Sequence, residues 1–237
     1  MAKAGAKKSA STTTPRRGEA RLPAAVAVVV AVVLYALVPR ELIPWPRWVI
    51  PVLEAVLLVP VIAVNPRRFT RETRASRATS LALVLVIVAA NLTSLGYLIH
   101  ALVGKGIQDG PGLLRASLEI WLTNIVVFGL LFWELDRGGP VARTQRPRDQ
   151  LPPADFRFSQ DENHDTVTEV SGGSSITSDW VPALVDYLYV SVTNSTAFSP
   201  TDTMPLTSRT KLLMTVESVA ALLTSVLVIA RGVSLLK

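Results

Sequence analysis

From Ala78 to Gly104 the chain has no Asp, Glu, Lys or Arg, and His100 is the one residue there able to carry charge near neutral pH. A bilayer's hydrocarbon core is about 30 Å thick and takes roughly 20 apolar residues to cross as a helix. Such a stretch becomes a membrane span or a wholly buried helix, and the rest of the sequence decides which. Of 237 residues, 49% are apolar and 18% are charged, with a mean hydropathy of +0.39. A soluble domain carries about 25% charge, so polar surface is too scarce to coat a globule. Disorder is excluded for most of the chain, because disordered segments lack branched aliphatics. The absence of Cys excludes a disulfide framework and any thiolate-ligated zinc or iron–sulfur site. The chain reads as an all-α integral membrane protein.

Further spans follow the same rule. Leu22 to Val38 is uncharged and follows a basic stretch; Pro39-Arg40-Glu41 comes next in place of a small-x-small cleavage site, so the segment reads as a retained helix. Trp48 to Val64 is a second span, opened by Trp45-Pro46-Arg47-Trp48, whose indoles suit the headgroup layer. Ala78 to Gly104 is the third. The fourth runs from about Leu114 to Trp133 and stops at Asp136-Arg137-Gly138-Gly139-Pro140. From Asp136 to Asp179 the chain turns polar and reads as a loop or partly disordered linker. Trp180 to Thr193 is apolar but rises only about 21 Å as a helix, and the last helix runs from about Ser208 to Leu236. The organisation expected is a basic arm over 1–21, a four-helix transmembrane bundle over 22–135, a linker over 136–179 and a C-terminal hairpin over 180–237.

Charge sets the orientation. The arm to Arg21 holds six Lys/Arg against Glu19 alone, and Asn65 to Thr79 holds Arg67, Arg68, Arg71, Arg74 and Arg77 against Glu72. The intervening turns, around Arg40–Arg47 and Lys105–Arg115, hold two each. Under the positive-inside bias the N-terminus is cytoplasmic, in a cell membrane. If Trp180 onward crosses, there are six spans and both termini lie inside; if it dips in and returns, there are five. Six is the expectation taken.

Ionisable groups inside spans are costly, about 2.5–3.5 kcal/mol on insertion scales, so Glu54, His100, Glu119, Asp186, Glu217 and Arg231 are the candidate polar sites. Glu54, Glu119 and His100 would gather near the outer face and suit proton or cation handling; the plainer reading makes each a locally hydrogen-bonded group. Asp186 and Arg231 pair if the short segment crosses and cannot if it enters from outside. Asn91 and Ser94 on one helix, and Glu119, Thr123 and Asn124 on the next, form polar stripes that line water or, more commonly, join helices.

From Asp186 to Lys237 the chain resembles the pore-helix, filter and inner-helix module of potassium channels. Tyr189-Val190-Ser191-Val192 matches a pore-helix entry, and Ala197-Phe198-Ser199-Pro200-Thr201 falls without a gap on the Thr-Val-Gly-Tyr-Gly filter. Asp202 and Pro205 coincide with the Asp and Pro beyond that filter, and Glu217 and Ala230-Arg231 fit the inner helix. The resemblance implies a candidate pore loop of Ala197, Phe198, Ser199, Pro200, Thr201 and Asp202. Ser199 and Thr201 replace the filter's glycines and Pro200 fixes φ between them, which removes the basis for potassium selectivity. A channel pore loop also enters from outside, against the arginine distribution. The whole chain resembles uncharacterised bacterial multi-pass membrane proteins, through Phe-Trp-Glu-Leu-Asp-Arg-Gly-Gly-Pro from Phe132, Asp-Tyr-Leu-Tyr-Val-Ser from Asp186 and Thr-Ala-Phe-Ser-Pro-Thr-Asp-Thr-Met-Pro-Leu from Thr196. That likeness implies a membrane fold and no known activity.

Enzyme signals are weak: His100 and His164 are the only histidines and no phosphate-binding glycine loop occurs. No catalytic residue, metal site or cofactor is expected. The leading expectation is a non-enzymatic channel or transport-like protein, with Asp186–Asp202 as the constriction and a homo-oligomer if it conducts. The alternative is a structural or regulatory scaffold that recruits partners through its arm and linker. The basic arm should meet anionic lipid, each charge worth about 1 kcal/mol near a membrane surface, rather than nucleic acid.

Overall fold

The computed structural model describes residues 18–64, 67–103, 110–161, 172–173, 180–196 and 202–235, and they are mostly helical. The helices are α1 (Leu22–Leu37), α2 (Val49–Val64), α3 (Arg74–Val103), α4 (Gly110–Leu135), α5 (Pro140–Gln145), α6 (Leu184–Ser195) and α7 (Ser208–Leu235). Each boundary has a local cause. Val38 ends α1 with ψ of 133°, and it precedes Pro39, which disfavours helix in the residue before it. Thr73 caps α3: its hydroxyl accepts the Ser76 N–H while the Ser76 hydroxyl accepts the Thr73 N–H. Beyond α4, Arg137, Gly138 and Gly139 have φ of 51°, 82° and 91°, a left-handed run that ends the helix, and Pro140 opens α5.

α3, α4 (as Pro111–Gly138) and α7 (as Ser208–Ile229) are long and apolar enough to cross a membrane; Leu22–Leu37 and Val49–Val59 are shorter apolar helices. Large apolar side chains face outward on α1 (Val26, Val29, Val33), α2 (Val52, Val56) and α7 (Leu212, Ile229). Helices that are apolar on their outer faces as well as their packed ones mark a membrane-embedded protein.

α4 is the hub. Its apolar window is 78% buried against 28% for α7, and it packs against α1, α3, α6 and α7. One end of the bundle is a cluster of Tyr35, Leu42, Ile50, Leu98, Leu113 and Ala116. The other, here the basic end, gathers Glu19, Phe69, Arg77, Asp136, Arg143 and Tyr187. α1, α3 and α7 therefore start at the basic end, while α2 and α4 run back toward it.

The short segment after the linker departs from expectation. Tyr187 hydrogen-bonds Asp136 at the basic end, and Ser191 reaches Ile125 further up α4, so α6 runs inward alongside α4. By Met204 the chain is back at the basic end, where Met204–Pro205 (β2) pairs antiparallel with Phe156–Arg157 (β1). The segment thus enters and returns at one end, and among the described residues it forms no lengthwise helix. The physical reason is length: twelve residues rise about 18 Å, and the polar residues Asn194 and Ser195 at its tip find partners midway along the bundle.

The linker also departs from expectation over 136–161. These residues fold into a cap of 3-10 turns at Asp136–Gly138, Arg148–Gln150 and Ser159–Asp161, with α5 and β1 between them. Phe156 and Phe158 enter the main core and stack edge-on against Tyr187, 6.1 and 5.4 Å between centroids. Aromatic burial, absent from a plain reading of the segment's polarity, is what orders it.

Candidate functional site

Two polar assemblies lie within this frame. The first is the cap at the basic end. The Asp136 side chain is fully buried; Oδ1 accepts the Asp155 N–H at 2.7 Å and Oδ2 accepts the Tyr187 hydroxyl at 2.6 Å. Arg143, also fully buried, donates from Nη1 to the carbonyls of Trp133 (2.6 Å) and Asp136 (2.9 Å), capping carbonyls that α4 leaves unpaired at its C-terminus. Its guanidinium lies 5.0 Å from the Tyr187 ring centroid and 5.8 Å from that of Trp133. Glu19 accepts the Trp133 indole N–H at 3.0 Å and the Leu184 N–H at 2.9 Å. Asp155 accepts from Thr207 at 2.6 Å and from both Arg209 Nε, at 2.8 Å, and Arg209 Nη2. Burial pushes the Asp155 carboxyl up, but the hydrogen bonds from Arg209 and Thr207 outweigh it and hold the group below the ordinary carboxylate range.

The second assembly lies midway along the bundle. Glu217 on α7 is fully buried, with Asn194 Nδ2 donating to Oε2 at 2.6 Å and Ser195 donating to Oε1 at 3.1 Å. Ser191 Oγ faces both Glu217 Oε1 and the Ile125 carbonyl, the latter at 2.8 Å. A hydroxyl carries one hydrogen, so one of these two contacts takes its hydrogen from the carboxyl or is unmade. Asn124 Nδ2 donates to the Glu217 carbonyl and Asn91 Nδ2 to Asn124 Oδ1, each at 3.4 Å. The line Asn91–Asn124–Glu217 joins α3, α4 and α7, as the helix-joining reading of the stripes expects. Among the described residues no Arg or Lys lies within ion-pair distance of Glu217. A cavity of about 420 Å³ adjoins this layer, lined by Trp121, Asn194, Ser195, Thr196, Ser218 and Ser225, among others, and the buried Trp121 Nε1 has no hydrogen-bond partner.

The remaining candidates scatter. Glu54 is buried on α2 and neither carboxyl oxygen has a hydrogen-bond partner. Glu119 accepts Arg115 Nε at 2.8 Å, one turn back on its own helix, and His100 is exposed. No hydrogen bond or ion pair links these three among the described residues, so the outer cluster that the functional reading needs is not assembled there. The local i,i+4 partner on α4 takes Glu119 instead. Asp186 caps α6, accepting the Ala183 N–H at 2.7 Å at the basic end. The Arg231 side chain lies outside the described residues; its backbone is roughly 33 Å along α7 from the basic end, which separates it from Asp186 and removes the expected pair. Ala197, Phe198, Ser199, Pro200 and Thr201 lie outside the described residues. Asp202 is exposed and accepts the Tyr189 hydroxyl at 3.1 Å on the outer face of α6, away from Glu217. It is therefore not part of an inner constriction formed with that layer.

Sequence reasoning passed over Asn194 and Ser195 as partners of Glu217, although Ser191, Asn194 and Ser195 at spacings of three and four share one helix face. It also passed over Asp136, Arg143 and Asp155, whose partners are far away in the chain. Among the described residues no group of three or more His, Cys, Asp or Glu is arranged to hold a metal ion. Comparison with family models, with curated proteins and with solved structures found no match to this chain.

Proposed function

We propose that this is a multi-pass, non-enzymatic channel or transport-like membrane protein of five spans. In this reading α6 is a re-entrant half-helix, and the layer around Glu217 with its adjoining cavity is the permeation or substrate site. One observation carries the reading: a helix that stops midway along the bundle and presents Ser191, Asn194 and Ser195 to a buried carboxyl beside a cavity. Interrupted helices at mid-depth, backed by polar side chains, are how membrane transporters and channels build sites where lipid supplies no hydrogen bonds. The likeness to a pore helix followed by an inner helix agrees with this arrangement in chain order. Arg21, Arg68, Arg77, Arg143 and Arg209 all belong to the basic end, which supports a cytoplasmic N-terminus and α6 entry from the cytoplasmic side.

The test is ion and proton flux in liposomes holding the purified protein, under imposed gradients of each. Flux carried by the wild type and lost in Glu217→Gln, with the helical content unchanged, is the expected result. A wild type that moves no ion or proton under any gradient rejects the reading and leaves a sealed bundle.

A further inference from the structure

We propose that the cavity beside Glu217 takes a small primary alkylammonium ion, its head received by the hydroxyls of Thr196 and Ser218. The inference rests on the reading of that cavity as a substrate site and names the chemical class of the substrate. The cavity exists because α6 is short. α6 ends at Ser195, while α4 and α7 continue past its tip toward the opposite end of the bundle. The space that further turns of α6 would fill is bounded by Trp121 of α4 and by Leu222 and Ser225 of α7, with Asn194, Thr196 and Ser218 at its floor. Its volume of about 420 Å³ is more than ten times a water molecule's share of liquid volume, about 30 Å³, which suits an organic ion better than a bare metal cation. Leu222 and Ser225 are exposed, so the cavity opens on the side of the molecule, within reach of an amphiphile.

The floor offers lone pairs and no hydrogens. A hydroxyl has one hydrogen to give and two positions at which to accept. Thr196 spends its hydrogen on the Val192 carbonyl at 2.9 Å, and Ser218 spends its own on Asn194 Oδ1 at 2.8 Å. Ser225, at the mouth, donates to the Ala221 carbonyl at 2.9 Å. Both amide hydrogens of Asn194 are taken, by the Met214 carbonyl at 2.9 Å and by Glu217 Oε2 at 2.6 Å. Trp121 Nε1 is itself buried, so its hydrogen is not presented to the cavity. Toward a guest these groups can only accept. Behind Asn194 stands the Glu217 carboxyl, and among the described residues no Arg, Lys or His lines the cavity. Acceptors backed by an acidic group, with no cation beside them, select a positively charged donor. A primary ammonium brings three N–H groups to such a floor. Its alkyl tail lies against Leu222 and Trp121, the division between a few orienting polar groups and an apolar wall that small-molecule sites show.

The full chain in neutral detergent is titrated with butylammonium chloride, with 1-butanol and with sodium chloride, and binding is followed by calorimetry. Saturable binding of butylammonium, unmatched by 1-butanol and not displaced by sodium, is the expected result. Thr196→Val keeps the shape of the side chain and removes one acceptor, and should weaken binding about tenfold, the loss of one charge-assisted hydrogen bond. Ser218→Ala should weaken it similarly. Thr193→Val is the control: on the same helix its hydroxyl makes the same kind of bond, to the Tyr189 carbonyl at 2.9 Å, and binding should be unchanged. No binding of butylammonium, equal binding of 1-butanol, displacement by sodium, or equal loss in Thr196→Val and Thr193→Val overturns the proposal. The liposome measurement is read separately. Butylammonium binding without ion or proton flux upholds the site and rejects conduction, and flux without butylammonium binding rejects this substrate class and leaves the channel reading standing.

Discussion

The cap and the mid-bundle layer use the same acidic chemistry in opposite ways. At the cap, Asp155, Asp161 and Glu72 meet arginines directly. Midway along the bundle, Glu217 is held by two hydroxyls and an amide, and nearer the opposite end Glu54 on α2 has no hydrogen bond. Charge matched by charge makes a fixed joint. The contrast separates a region where carboxylates face guanidinium groups from one where a buried carboxyl is held by neutral donors alone.

The largest effect should come from the cap. Asp136→Ala removes the acceptor for the Asp155 N–H and the Tyr187 hydroxyl and leaves Arg137, 3.8 Å away, without that carboxylate. It is expected to cost about 3–5 kcal/mol, as breaking buried ion pairs does, read as a lowered unfolding midpoint in detergent. An effect under 1 kcal/mol would collapse the distinction between the regions. Glu217→Leu should cost less, about 1–3 kcal/mol, because it strands neutral donors only; a loss larger than that of Asp136→Ala would invert the comparison.

A smaller effect sharpens the contrast through pH. The folded-state Asp155 carboxyl lies below its ordinary value of 3.8, so the unfolded chain takes up this proton first as the solution is acidified. The stability it contributes is whole above the ordinary Asp range and drains as pH falls through the folded value. Asp155→Asn should flatten the acid limb of unfolding midpoint against pH. Arg209→Gln should cost about 1 kcal/mol at neutral pH, a modest figure because the Arg209 side chain is half-exposed. The smallest change lies in neither region: an added Cβ at Gly96 meets nothing within 4 Å. Gly96→Ala should therefore stabilise α3 by about 0.5 kcal/mol, as helix-interior glycines allow, seen as a slightly raised midpoint. Gly129, where an added Cβ would lie 2.7 Å from Leu188 Cδ2, is the opposing control.

The lengthwise helices were legible because an apolar run bounded by charge needs no knowledge of its neighbours. α1, α2 and α7 each begin within a residue of where hydropathy alone puts them. The cap was not legible, because its order comes from Phe156, Phe158 and Tyr187 packing together across the chain, and its polar residues look like a solvated loop until those rings are placed. Glu217 was singled out by its cost in lipid, while its partners were hidden by a choice of path. Ser191, Asn194 and Ser195 meet it because α6 stops midway, and local pattern does not distinguish a short crossing helix from one that turns back.

Glu19 holds together parts of the chain that are made at very different times. Its carboxylate receives N–H groups from Trp133 and from Leu184, and those residues emerge from the ribosome long after α1 has entered the bilayer. The junction at Glu19 is therefore complete only when three stretches of chain far apart in sequence, around residues 19, 133 and 184, have come together.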